Sequence, residues 1–359
     1  MTVRTRVAFG VLGAVQVTLI AGITALSVAL PAIRHDLGLT AAEVALVSSA
    51  YGIAFAGLLL LGGRIADLYG HRRVLVVGIA LFVGGSVVVM VAGNLVVMVG
   101  ARFVQGMGAA GAAPAAMALL HDVFPDPAAR DRARAVWGGL AGIGATSGIL
   151  LSGVVTSLLS WRWVLVLPVV VAVAAALVAS RVVPVGGPVV RARLDVPGAV
   201  LATVGLSLVS GGLLETAWLP TGFGVGAVVA LVLVERKRAA PLVPRSLLGR
   251  WSALGAILVT AGVMASTMFM LSLYFQEVRG FTPLWTAIAF LPFGAVQIVV
   301  GARAGAVAER FGIRVVTVTG LLIAAGGVGV LTWIDESSPY VGLPLVGLVV
   351  LAVGVALDQ

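Results

Sequence analysis

The 359-residue chain contains no cysteine, so no disulfide framework, thiolate nucleophile or Cys-ligated metal enters its chemistry. Histidine is scarce: His35, His71 and His121 are far apart and fall in predicted loops, which argues against a His-built site. Charge is scarce too. Only 10% of residues are Asp, Glu, Lys or Arg, against about 25% in an ordinary soluble domain. With 60% hydrophobic residues and a mean hydropathy of +1.16, the chain suits neither a water-soluble globule nor a disordered segment. The lipid bilayer is the solvent that fits. No Gly-x-x-x-x-Gly-Lys-Ser/Thr phosphate loop occurs, so neither ATP nor any other cofactor is expected. No His, Cys or paired-carboxylate constellation sits at membrane depth, so an enzyme is not expected either.

What is present is a succession of long apolar runs. A spanning helix needs about 20 such residues, and twelve runs qualify as candidates: Val7–Leu30, Val44–Leu61, Val74–Val91, Leu95–Leu120, Ala135–Leu159, Val164–Ala179, Val196–Leu214, Trp218–Val234, Trp251–Phe275, Leu284–Val300, Val315–Trp333 and Val341–Ala356. The first follows Arg4 and Arg6, as a signal peptide would, but is longer than a cleavable apolar region and reads as a permanent span. Trp161, Trp163, Trp218 and Trp333 fall at span ends, where interfacial anchors belong.

Of the 23 basic residues, 19 fall in alternate loops and ends on the side of the N-terminus, and only Arg34, Arg162 and Arg279 in the loops between them. The positive-inside rule then predicts a multi-pass protein of the cell (inner) membrane with both termini cytoplasmic. The net charge of +9 is explained by topology, with no nucleic-acid partner.

The chain also repeats itself. Gly63, Asp67, Gly70 and Arg72, between spans 2 and 3, recur as Gly305, Glu309, Gly312 and Arg314 between spans 10 and 11, at a constant offset of 242. Gly38 and Thr40 recur at the same offset as Gly280 and Thr282. Parallel repeats related by an axis along the membrane normal are one way secondary transporters are built. Eight spans separate the repeated loops where six would suffice, so two extra spans are predicted between the bundles. The expected organisation is a six-helix bundle over residues 1–182, a linker with two extra spans over 183–250, and a second bundle over 251–359.

At this point the residues resemble a family. "GGRIADLYGHRR" (Gly62–Arg73) resembles the cytoplasmic loop signature of the major facilitator superfamily, and "ARFVQGMGAAGAAPAA" (Ala101–Ala116) its fourth-helix signature. "SVALPAI" (Ser27–Ile33), "SWRWVLVLP" (Ser160–Pro168), "LDVPGAVLATVGLSLV" (Leu194–Val209), "VERKRAAPLVP" (Val234–Pro244) and "LYFQEVRGFTPL" (Leu273–Leu284) resemble its 14-spanning drug:proton antiporter branch. The fold this implies is an all-α integral membrane protein, a two-bundle transporter of about 12 transmembrane helices (6+2+4), with the second bundle expected to be incomplete. The function it implies is secondary active, proton-coupled export of drug-like or antibiotic small molecules by alternating access. A nutrient importer of the same fold, or an inactive or scaffold remnant, are the alternatives. The partners it implies are the small-molecule substrate, protons and the bilayer.

The resemblance also assigns residues, with departures. Asp67, with Arg72, Arg73 and their second copies, marks the gating loops, and in the family this Asp is understood to hold the two bundles together. Family members carry an Asp in span 1 where this chain has Gly22. Counted from the outer helix ends, Gly22 is about 12 Å deep and Arg102 about 10 Å, so the two are level. An Arg in the hydrocarbon region costs about 3 kcal/mol and needs a partner or a cavity, unless it snorkels to the interface. The coupling candidates are therefore Arg102, Glu277 and Glu215. In span 5 the antiporter signature ends Gly-Pro-x-x-Gly-Gly, where this chain has Ile149 in place of the Pro; Gly144, Gly148, Ser152 and Gly153 remain as a small-residue packing face. Gln16, Thr24, Gln105, Thr260, Ser266 and Thr267, on spans 1, 4 and 9, are candidates to line a cavity.

Overall fold

The computed structural model describes residues 3–183, 196–214, 218–237 and 251–358. Among the described residues there are twelve α-helices and no strand: α1 (Val3–Leu37), α2 (Ala41–Tyr69), α3 (His71–Val91), α4 (Leu95–Val123), α5 (Pro127–Leu158), α6 (Val166–Val182), α7 (Val196–Leu214), α8 (Trp218–Lys237), α9 (Trp251–Leu273), α10 (Pro283–Phe311), α11 (Ile313–Leu331) and α12 (Leu343–Asp358). Each corresponds to one apolar run. Eight are long and apolar enough to cross a membrane. The helices overrun the apolar runs at their polar ends, so His35, His71 and His121 lie in terminal helical turns and not in loops.

Local chemistry starts the helices where the sequence changes character. Thr40 and Glu43 form a reciprocal capping box at α2, Asn94 Oδ1 accepts from the Val97 amide at 2.9 Å at α4, and Asp126 Oδ2 accepts from Ala129 at 2.9 Å ahead of Pro127. Thr282 caps α10, with Pro283 in its first turn.

The repeat is written into the backbone. The four glycines with positive φ among the described residues are Gly38 (64°), Gly70 (94°), Gly280 (65°) and Gly312 (87°), two pairs at the offset of 242. The helices α2 and α10, 29 residues each, occupy equivalent positions. Gly70 donates its amide to Ala66 and Gly312 donates to Ala308, again equivalent partners, both at 2.9 Å. A non-glycine residue at such φ is strained, so the tight reversal from one helix into the next depends on these positions. The copies differ before the repeat: α9 ends in a π-turn over Tyr274–Val278, where α1 runs as α-helix to Leu37.

The chain divides into two compact units. One comprises Met1–Ile23, Ala32–Trp137 and Leu165–Leu248; the other Thr24–Pro31, Gly138–Val164 and Gly249–Gln359. In the first, α4 is the central strut. A Cβ at Gly62 would overlap the Ala110 carbonyl, one at Gly106 the Tyr51 carbonyl, and one at Gly108 the Gly78 carbonyl, so α2 and α3 both pack backbone-close on α4. This is how helices associate where lipid removes the hydrophobic drive between them. The Ala110 carbonyl is left without its helical donor by Pro114, four residues on. The second unit centres on Phe275, whose ring meets Phe281 at 5.4 Å, Phe290 at 5.8 Å and Tyr340 at 5.9 Å. Leu271, Leu348, Leu351 and Val355 complete that core.

Candidate functional site

Among the described residues of the first unit the most buried charge is Arg102, 1% exposed on α4. It does not snorkel. Its Nη1 donates to the Gly22 carbonyl at 3.3 Å and to Gln105 Oε1 at 3.0 Å, its Nε to the Val47 carbonyl at 3.5 Å, and its guanidinium lies 4.8 Å from the Tyr51 ring centroid. Gln105, fully buried one turn along α4, donates through Nε2 to Ser86 Oγ at 2.7 Å, and Ser86 donates to the Phe82 carbonyl at 2.7 Å. Tyr51 donates to the Leu19 carbonyl at 3.4 Å. The depth count that set Gly22 level with Arg102 thus identifies two groups in hydrogen-bonding contact. In place of a carboxylate, two carbonyls, an amide oxygen and a π face surround the cation. The space a side chain at position 22 would use is filled: its Cβ would lie 2.7 Å from Phe82 Cζ. Tyr51 and Ser86 had no mark in the sequence beyond being polar within a span.

The first repeated loop is packed. Asp67 Oδ1 lies 3.2 Å from His71 Nε2 one turn on, Arg72 donates to the Val183 carbonyl at 3.3 Å, Gly70 is buried and Gly63 half-buried. Arg73 is exposed. Its second copy, Gly305, Glu309, Gly312 and Arg314, has the same backbone and is exposed throughout.

A second polar cluster was not anticipated. Pro31 lies inside α1 and cannot donate to the Ser27 carbonyl. Ser272 Oγ on α9 donates to that carbonyl at 3.2 Å, and Gln276 Nε2, in the π-turn, donates to the Val28 carbonyl at 3.0 Å and to Ser272 Oγ at 3.2 Å. Backbone groups freed by a proline at membrane depth are satisfied from a neighbouring helix.

The sequence model of the Major Facilitator Superfamily matches residues 12–357. The chain belongs to this superfamily. It is 37% identical over 346 residues to the cephamycin export protein CmcT of Amycolatopsis lactamdurans, covering 92% of this chain and 71% of that protein. It is 35% identical over 345 residues to the puromycin resistance protein of Streptomyces alboniger, covering 92% and 68%. Among solved structures, that of the peptide transporter POT in complex with sulfate superposes with a TM-score of 0.71 at 16% identity over 98% of this chain and 80% of that one. That of the xylose transporter XylE from E. coli gives 0.66 at 12% identity, covering 99% and 83%. These structural matches establish the fold. As a member of the superfamily the protein is a transporter and not an enzyme, and it acts on small molecules.

The remaining candidates of this facilitator fall in several places. Gly144, Gly148 and Ser152 are buried on α5, and a Cβ at Gly153 would overlap Ala287 on α10. A Cβ at Gly294 on α10 would likewise overlap Thr146. Ser266 and Thr267 line a cavity of about 360 Å³ between α9 and α11, with Met270 and Tyr274. Thr260 lines an adjoining one of about 410 Å³, with Val263 and Ala324; Val328 borders both. Gln16 and Thr24 are half-buried on α1. Glu277 is exposed in the π-turn, and Glu215 lies outside the described residues.

Proposed function

We propose that this facilitator exports antibiotic-like small organic molecules by alternating access, driven by protons moving down their gradient, from a cell membrane in which both termini face the cytoplasm. The observation that carries the reading is its similarity, over 92% of its length, to a cephamycin export protein and to a puromycin resistance protein. Orientation rests on the 19-to-3 partition of basic residues. A first bundle over 1–182, two added spans over 183–250 and a second bundle over 251–359 is the organisation that goes with it.

Energetically the drive is sufficient. One proton moving down about 100 mV releases about 2.3 kcal/mol, enough to sustain roughly a 50-fold gradient of a neutral substrate. Arg102, Glu277 and Glu215 are assigned to coupling, and Gln16, Thr24, Gln105, Thr260, Ser266 and Thr267 to lining the substrate path. The position of the Thr260, Ser266 and Thr267 hydroxyls in the otherwise mostly apolar α9–α11 cavities supports the latter. Asp67, Arg72, Arg73 and the second loop are assigned to gating.

The test is extrusion of a fluorescent substrate, and resistance to puromycin, in cells expressing the chain. Extrusion that collapses when the proton gradient is dissipated supports the proposal. Extrusion indifferent to the gradient removes proton coupling, and counterflow showing net uptake of a labelled nutrient replaces export by import.

A further inference from the structure

The helices α2 and α3 both press on α4 but diverge from one another, and the gap between them is a groove of about 390 Å³. Its floor is Met107, Ala110 and Gly111 of α4; its walls are Leu58, Leu61 and Ile65 of α2 and Val74, Val77 and Leu81 of α3. The lining is apolar except at one end, beside the Gly70 turn, where Tyr69 and Arg73 stand. Tyr69 is 61% exposed, Val77 59% and Leu81 40%, so the groove opens on the outer face of these helices. The Arg73 side chain is exposed and makes no hydrogen bond or ion pair among the described residues.

Length and charge decide what fits. From Tyr69 to Leu58 the groove follows eleven residues of α2, about 16 Å at the helical rise. That is about half of a hydrocarbon core roughly 30 Å thick, the depth of one leaflet. A slot one leaflet deep, apolar along its length and open to the tails, matches a single acyl chain. Its cationic end lies where the headgroup of that chain would be, and guanidinium is the side chain that takes phosphate oxygens in pairs. Tyrosine is enriched at this level of the membrane.

We propose that the groove between α2 and α3 holds one acyl chain of an anionic phospholipid whose phosphate is bound by Arg73. The site lies on the side of the membrane that carries the Gly70 turn, beside the gating loop, so an occupied groove ties that loop to the lipid surface. Gly111 makes the floor low: a Cβ there would meet only Val74 of α3, at an ordinary 3.5 Å, so the position has room for a side chain that narrows the groove. The inference concerns the outer face of one unit and no substrate; because Arg73 is also assigned to gating, lipid retention and not transport is what tests it.

The test is native mass spectrometry of the full-length purified protein titrated with phosphatidylglycerol and phosphatidylcholine carrying the same chains. The wild type is expected to retain phosphatidylglycerol about five-fold more strongly, the value of one arginine at an anionic surface. Arg73→Gln abolishes that preference, phosphatidylglycerol losing more than the zwitterionic phosphatidylcholine, and Gly111→Leu weakens retention of both lipids alike. Val77→Trp, on the exposed wall, is a second way to fill the slot if Gly111→Leu does not fold. Phosphatidylglycerol with a photoreactive chain should crosslink within residues 58–81 and 107–111. Equal retention of the two lipids by the wild type, unchanged preference in Arg73→Gln, or crosslinks confined to other helices would overturn the proposal. Displacement of the lipid by puromycin would give the groove to the substrate instead.

Discussion

Arg102 is held in the first unit by groups that carry no full negative charge: the Gly22 and Val47 carbonyls, Gln105 Oε1 and the Tyr51 ring. Removing a link of this network leaves a buried polar group without a partner, which costs about 1–3 kcal/mol. Ser86→Ala takes the acceptor from Gln105 Nε2 and is expected to lower stability by that amount, measured as the thermal unfolding midpoint in detergent. An unchanged midpoint would mean that Gln105 finds another acceptor. Gly22→Asp offers the carboxylate that the family pattern has, but the Phe82 ring stands 2.7 Å from where its Cβ would be. The single change should destabilise, and Phe82→Ala, itself costing about 3 kcal/mol or more, should cost less in its presence. A coupling of about 1 kcal/mol or more between the two is the expected outcome; strict additivity contradicts it.

At the scale of elements, Pro31 of α1 and the polar residues at the end of α9 form one device. Ser272→Ala leaves the Ser27 carbonyl unsatisfied and should destabilise by about 1 kcal/mol. In a Pro31→Ala background the backbone amide of residue 31 can return to that carbonyl, so the same Ser272→Ala should be close to neutral. A double-mutant cycle in unfolding free energy measures the difference, and an equal cost in both backgrounds would refute the pairing. The helix starts of the two repeats differ in pH response. The carboxyl of Glu43 is held below its ordinary range first by the Thr40 backbone N–H and then by the Thr40 hydroxyl. A depressed carboxylate stabilises the cap above the group's ordinary pKa and ceases to do so as pH falls through the lowered value. Trp285 occupies the equivalent position in the second copy. The hydrogen-exchange protection of residues 41–45, relative to the unstructured rate at the same pH, should therefore fall on acidification, and that of 283–287 should not. Thr40→Ala should move the onset to higher pH.

At the scale of the whole molecule, the offset of 242 predicts that the Gly70 and Gly312 turns lie on the same side of the membrane. Cysteine introduced at Arg72 or Arg314 should react with a membrane-impermeant maleimide from the same side, and labelling from opposite sides would break the duplication. Gly70→Ala and Gly312→Ala each place a Cβ at φ near +90° and should cost about 1–3 kcal/mol. The two loops share a backbone and differ in surroundings. Asp67, Arg72 and His71 are engaged, whereas the second copy is exposed, so substitutions of side chains should cost more in the first copy than in the second.

How far the sequence reaches follows from the kind of interaction involved. Among the described residues, the existence and order of the helices were legible because an apolar run of spanning length can satisfy its backbone only as a helix. The turn glycines were legible because their backbone angles admit little else, and the level of Gly22 with Arg102 because helical rise is a constant. The partners of Arg102 were not legible. Carbonyls of Gly22 and Val47 belong to every residue alike, and Tyr51 and Ser86 became part of the site only when α2 and α3 came to rest on α4. The bond from Ser272 to Ser27 spans 245 positions with no pattern in between, and the slot between α2 and α3 exists because glycines on α4 drew both helices inward. Composition and periodicity thus determined that this chain crosses a membrane as a duplicated set of helices. Packing alone decided where its buried polar groups find each other, since such contacts depend on crossing angles and separations that no local stretch of residues encodes.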